Sequence, residues 1–155
     1  MTRFLTNMLF VAFVLLVSAC DQEETDRPLA SIGDTAWILS KFVAENGTTS
    51  DPVGADFFVH FVSPDSINGV SFADGMIYNF FVLEYEETPG GEIFVGSGFV
   101  TERTEPIGSR LTEFLVALTS SRSYQATEST LRLEQEGGTV LVFRNENPEF
   151  PNTLN

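Results

Sequence analysis

The sequence predicts a mainly β fold of α+β type, an antiparallel sheet or barrel that carries one amphipathic helix near residues 108–120. From Thr35 onward, apolar residues come in runs of about four to eight between Gly, Pro, Asn and Asp, the rhythm of short strands joined by tight turns. Leu111, Phe114, Leu115 and Leu118 break that rhythm, falling at i, i+3, i+4 and i+7 on one helical face. A chain of 155 residues with 43% hydrophobic and 12% aromatic content also has enough apolar surface for one real core.

In chain order, the strands are expected at 35–43, 56–62, 66–72, 78–86, 92–99, 123–127, 130–135 and 139–144. Asn46-Gly47, Asn68-Gly69, Gly90-Gly91 and Gly137-Gly138 supply residues that tolerate positive φ at turns, and Asp74-Gly75 reads as a turn as well. Ser109 is the expected N-cap of the helix, with Glu113 near its positive end and Arg122 near its negative end. The tail at 146–155, with Pro148 and Pro151, reads as loose coil. No solenoid-type repeat is visible.

The first twenty residues have a different character. Arg3 is followed by an apolar run from Met8 to Val17 that ends in Ser18, Ala19 and Cys20. The run falls well short of the roughly 20 residues a helix needs to span a bilayer, so it reads as an export signal rather than a permanent anchor. Val17-Ser18-Ala19-Cys20 resembles the bacterial lipobox, whose cysteine is acylated and becomes the first residue after cleavage. Cys20 is the one cysteine in the chain, and the expected organisation is a lipoprotein signal peptide at 1–19 with Cys20 as the lipidation site. Two acyl chains suffice for stable anchoring, which a single chain does not provide. Residues 20–33, with Asp21, Glu23, Glu24, Asp26 and Pro28, read as a flexible acidic tether to a folded domain at 34–145. Asp21 directly after the cysteine resembles the enterobacterial signal for inner-membrane retention. The expected location is therefore the cell envelope, facing the periplasm, at the inner membrane where that signal is read and otherwise at the outer membrane.

Charge and composition exclude several function classes. With 22 acidic against 8 basic residues, the net charge of -14 repels phosphate backbones and argues against nucleic-acid binding. One cysteine excludes an internal disulfide framework, and one histidine without a second thiol excludes the common Cys/His zinc sites. No cofactor or metal is expected. In the stretch from Phe57 to Val62, period-two alternation places Phe58, His60 and Val62 on one face and Phe57, Val59 and Phe61 on the other. His60 has no identifiable nucleophile to serve, and it reads as a structural residue. Glu84 and Glu86 share a strand face, and Glu87 follows them. A solvated acidic face accounts for these carboxylates, although a pair of carboxylates can catalyse glycoside hydrolysis alone.

Trp37, Asn46-Gly47, the segment from Gly75 to Tyr85, the helix from Glu113 to Leu118, Tyr124, and a closing Leu131, Leu133, Gly138, Leu141 and Phe143 together resemble the META-domain family. That family includes a small heat-inducible bacterial envelope protein, and its members are often lipoproteins. The resemblance spans roughly Asp34 to Arg144 and implies a small barrel-like sheet with a single helix. Asn79, Phe81 and Tyr85 fall on a family segment, and with Glu84 they form the candidate binding surface. Tyr78 stands where relatives carry a cysteine and Leu83 where they carry a glycine, so the thiol chemistry of relatives does not transfer.

The expected function is that of a non-enzymatic envelope lipoprotein that binds a protein partner or supports the envelope under stress. The alternative is a carrier of small apolar ligands in a barrel or groove. An enclosed apolar cavity would favour the carrier and a solid core the scaffold. Phe57, Phe58, Phe61, Phe80 and Phe81 place rings on both faces of two strands, so either a covering layer or an apolar partner surface must account for the outer ones.

Overall fold

The apolar runs become eight strands, joined by a two-residue ninth, of one antiparallel sheet in the computed structural model, which describes residues 28–29, 31–73, 76–101, 103–104, 106–135 and 138–145. The strands are β1 (Thr35–Val43), β2 (Thr49–Ser50), β3 (Asp56–Val62), β4 (Ser66–Ala73), β5 (Met76–Glu87), β6 (Ile93–Val100), β7 (Ser123–Ala126), β8 (Thr130–Glu134) and β9 (Val140–Arg144). One helix, α1 (Leu111–Ser120), lies between β6 and β7 in the chain. The spatial order is β6-β5-β4-β3-β1-β9-β8-β7, with the two-residue β2 paired to β1. This is the expected mainly β architecture, curled into a half-barrel. The signal segment, Cys20, Asp21, the Asp74-Gly75 turn, Gly137 and the tail at 146–155 lie outside the described residues.

The two edge strands meet at one end only. Glu92 bridges to Ser123, the Ile93 amide donates to the Arg122 carbonyl at 3.0 Å, and the Tyr124 amide donates to the Gly91 carbonyl at 2.7 Å. Gly91 sits at φ 81, in the left-handed region that favours glycine, where the chain turns into that junction. Away from the junction, α1 lies against β6 and β9 and fills the interior with its apolar face. Leu111, Phe114, Ala117 and Leu118 of that face are buried. The Phe114 ring stacks on Phe57 at 4.7 Å and lies 5.9 Å from Phe81 and 6.3 Å from Phe143. One helical side chain thus touches rings from β3, β5 and β9.

Inward residues alternate along each strand, as the pleat requires. Trp37, Phe57, Val59, Phe61, Ile67, Phe81, Leu131, Leu133, Leu141 and Phe143 are all buried in one core. In β1 the register slips between Leu39 and Lys41, so Phe42 turns inward where strict alternation would have placed Lys41. Gly69 has a packing role: a Cβ there would lie 1.9 Å from Phe81 Cζ, because the Phe81 ring occupies that space.

Three expectations are corrected. Asn68-Gly69 is no turn, since Asn68 pairs with His60 and Val82 and Gly69 with Val59 and Phe81 inside β4. The chain reverses at Ser63–Asp65 instead, where Pro64 limits the ladder. The helix cap lies at Arg110 and not at Ser109, although the Ser109 hydroxyl accepts the Leu111 amide at 3.3 Å. Arg110 itself fixes the helix start, donating to Glu113 Oε2 at 2.7 Å and to Ser50 Oγ at 2.7 Å, with its guanidinium 3.9 Å above the Phe42 ring. Finally, the folded unit begins before the expected boundary at 33. The Leu29 amide donates to the Ala126 carbonyl at 2.9 Å, Pro28 bridges to Thr127, and Ile32 is fully buried.

Because Phe114 is the ring shared by three strands, Phe114→Ala should destabilise the domain by about 3–5 kcal/mol, the cost of deleting a fully buried aromatic side chain. Urea denaturation should show a lower midpoint with an unchanged slope.

Candidate functional site

Alternation along β5 sends Asn79, Phe81, Leu83 and Tyr85 to the inside and Val82, Glu84 and Glu86 to the outside. On the outer side, Val82 pairs with Phe99 and Glu86 with Phe94 of β6. Between those pairs the register shifts, and β6 passes Gly96 and Ser97 opposite Glu84. Two exposed rings, Phe94 at 57% and Phe99 at 59%, therefore flank a stretch floored by glycine. A Cβ on Gly96 would lie 3.6 Å from Glu84 Oε2, so the carboxylate arm lies over the glycine. The result is an open trough of about 550 Å³, whose acidic rim is formed by Asp65, Glu84 and Glu86. The Arg122 guanidinium sits 5.6 Å from the centroid of the Phe94 ring.

The four candidate surface residues do not converge there. Glu84 alone of the four is exposed on the trough. Phe81 is fully buried against Gly69 and Phe114. Tyr85 points inward, with its ring edge-on to Phe61 at 5.2 Å. Asn79 is buried and works as a structural tie: its Oδ1 accepts the Arg103 amide at 2.9 Å and the Thr101 hydroxyl at 3.3 Å. Glu84 and Glu86 do share a face, as expected, but Asn79 and Tyr85 stand on the opposite one. The residues that sequence reasoning missed are Phe94, Phe99 and Asp65. The run Phe94-Val95-Gly96-Ser97-Gly98-Phe99 held the signal, since glycines between aromatics weaken a strand unless the backbone needs room there.

His60 lies half-buried on the outer face between Ala36 and Asn68. Phe58, Val70 and Phe80 adjoin it in one cross-strand row, where Phe58 meets Phe72 edge-on at 6.2 Å. The outer rings thus partly cover one another and bury Val70 between them. Among the described residues, no group of three or more His, Cys, Asp or Glu side chains is placed to hold a metal ion.

A polar cluster seals the end where the edge strands meet. Glu87 accepts hydrogen bonds from the Ser31 hydroxyl and the Ile32 amide, the latter at 3.1 Å. Burial pushes its carboxyl pKa up, but hydrogen bonds from Ser31, Ile32, Tyr124 and Gly33 outweigh this and leave it below the usual 4.5. Tyr124 and Tyr85 are both pushed up to about 12, first by burial and then by neighbouring carboxylates, Glu87 among them. Both phenols therefore stay neutral, and Tyr124 donates to Glu87 across the junction of the two edges.

No family model matches the sequence, and no curated protein matches it. A solved structure of a DUF4847 family protein from Bacteroides vulgatus is similar at 15% identity, with a TM-score of 0.52, covering 76% of this chain and 96% of that one. The likeness is one of fold.

The closing cluster has a pH signature with opposite signs at the two extremes. Glu87 has a lowered folded pKa, so its contribution is present above pH 4.5 and is lost as pH falls through the folded value. Tyr85 and Tyr124 have raised values, so theirs is complete below pH 10.0 and is lost as pH rises through about 12. The thermal midpoint followed against pH should fall on both sides. Glu87→Gln should flatten the acid limb, and Tyr124→Phe with Tyr85→Phe the alkaline limb.

Proposed function

We propose that this chain is a lipid-anchored protein of the bacterial cell envelope whose β domain is a non-catalytic binding module, with the outer trough of β5 and β6 as its binding surface. The observation that carries this is a filled interior beside an open aromatic trough. Trp37, Phe57, Phe61, Phe81, Phe114 and Phe143 occupy the centre of the half-barrel, while Phe94 and Phe99 stay exposed outside it. A carrier needs enclosed apolar volume, and the rings take the space it would use. Single exposed apolar residues are ordinary, but two rings flanking one acidic trough form a patch suited to a partner.

The anchor rests on Val17-Ser18-Ala19-Cys20, with Cys20 as the acylated thiol. The chain from that anchor enters the domain at its sealed end, through Pro28, Leu29 and Ile32. The META-domain resemblance supports the same setting, a small barrel-like envelope domain that serves under stress. Asp21 assigns the protein to the inner membrane in a host that reads that position, and otherwise the outer membrane takes it.

Labelled palmitate should be incorporated by the wild type and not by Cys20→Ser, and Asp21→Ser should move the protein from inner- to outer-membrane fractions. Equal labelling of both chains would overturn the anchor. For the binding surface, a photo-crosslinking residue at position 94 or 99, in the native membrane, should yield a discrete adduct that the same residue at exposed Val116 does not. Equal adducts, or none, would remove the trough as the site. Glycan hydrolysis by the purified protein that disappears in Glu84→Gln or Glu86→Gln would overturn the non-catalytic assignment.

A further inference from the structure

β6 is an edge strand for most of its length. Its junction with β7 is used up at Glu92 and Ile93, and among the described residues Gly98–Val100 is paired to a strand on the β5 side alone, with Gly96 and Ser97 in the register shift before it. Ser97, Gly98 and Phe99 of this stretch are exposed. Natural edges are usually guarded by lysine, proline or an inward charge, because unpaired amides and carbonyls template another strand. The sequence of β6, Ile-Phe-Val-Gly-Ser-Gly-Phe-Val, carries no lysine, proline or inward charge, and the irregularity in its ladder is the register shift at Gly96-Ser97. What stands beside the edge is negative charge: Asp65, Glu84 and Glu86 line the trough on its outer face.

That combination selects an occupant. A second copy of this chain would bring its own carboxylates and a net charge of -14 against the same rim, which disfavours edge-to-edge pairing of identical subunits. An extended segment with basic side chains meets no such repulsion. Its backbone can continue the sheet beyond β6, its apolar residues can pack on Phe94 and Phe99, and its basic residues can reach Glu84 and Glu86 over the glycine floor. From position 96 to 100 the edge offers about five residues of extended chain at ~3.3 Å each.

We propose that the partner is a polypeptide segment that is extended, basic and apolar in alternation, and that it binds by adding a strand to the Gly96–Val100 edge of β6. This rests on the trough being the binding surface and specifies what enters it. The test uses the full chain, purified in detergent, and a synthetic peptide that alternates lysine with valine. Binding should be saturable, should weaken at least about tenfold between ~0.05 and ~0.5 M salt, and should weaken several-fold in Glu84→Gln/Glu86→Gln. N-methylation of alternate peptide amides, which leaves every side chain in place, should abolish it. Amide exchange should slow along β6 on binding.

An N-methylated peptide that binds equally well would overturn strand addition, and equal binding of a glutamate-valine peptide would overturn the charge selection. Absence of binding by the lysine-valine peptide would overturn the proposal. In each case a crosslink from position 94 or 99 in the native membrane still reports separately whether the trough is the binding surface. Concentration-dependent dimerisation that protects β6 amides would instead identify a second copy as the occupant and overturn the proposal.

Discussion

The structure depends on one aromatic ring that does what hydrogen bonds in this sheet cannot. A sheet closed by its own ladder needs its two edges to meet along their length, yet β6 and β7 meet only around Glu92 and Ser123. The helix makes up the difference. Phe114 reaches Phe57, Phe81 and Phe143 at once, tying together strands from both halves of the sheet order. Van der Waals contact and burial, which have no directional requirement, close the part of the half-barrel that directional backbone bonding leaves open.

Filling the centre in this way leaves the trough on the outer surface as the open concavity beside the exposed rings. The same pleat that turns Phe81 and Tyr85 inward presents Glu84 and Glu86 outward, and the shift opposite Glu84 spreads Phe94 and Phe99 along an acidic rim. The other outer rings, Phe58 and Phe80, lie in a row that shields Val70 and contributes to stability on that face. Aromatic residues on the two faces of one strand thus do different work, depending on whether their neighbours across the ladder are apolar or charged.

The sealed end shows how an acidic chain tolerates a carboxylate at a structural junction. Glu87 is held by the Ser31 hydroxyl, the Ile32 amide and the Tyr124 phenol, so its charge is met by donors in place of water. The two tyrosines keep their protons because burial and the surrounding carboxylates both oppose a phenolate. The cluster also ties the incoming chain to the barrel. Ile32 is buried beside it, and the stretch that composition marks as a tether is docked from Pro28 onward wherever it is described.

Local sequence determined most of the fold. Apolar runs bounded by turn residues marked eight of the nine strands, β1 and β3 to the residue, because a strand that buries side chains in the core carries its apolar residues within one short segment. The helix was legible for the same reason, since its stripe repeats within one short segment. Two-residue β2 carries no such repeat, and Asn68-Gly69 was misplaced because the need that glycine meets there is a ring from β5, distant along the chain. Of the candidate surface, sequence placed Glu84 and Glu86 on one face. It could not show that Asn79, Phe81 and Tyr85 are spent inside, nor that Phe94 and Phe99 stand beside those carboxylates. Those facts follow from the register between β5 and β6, and the shift opposite Glu84 is a property of the two strands as a pair that neither strand's own residue pattern encodes.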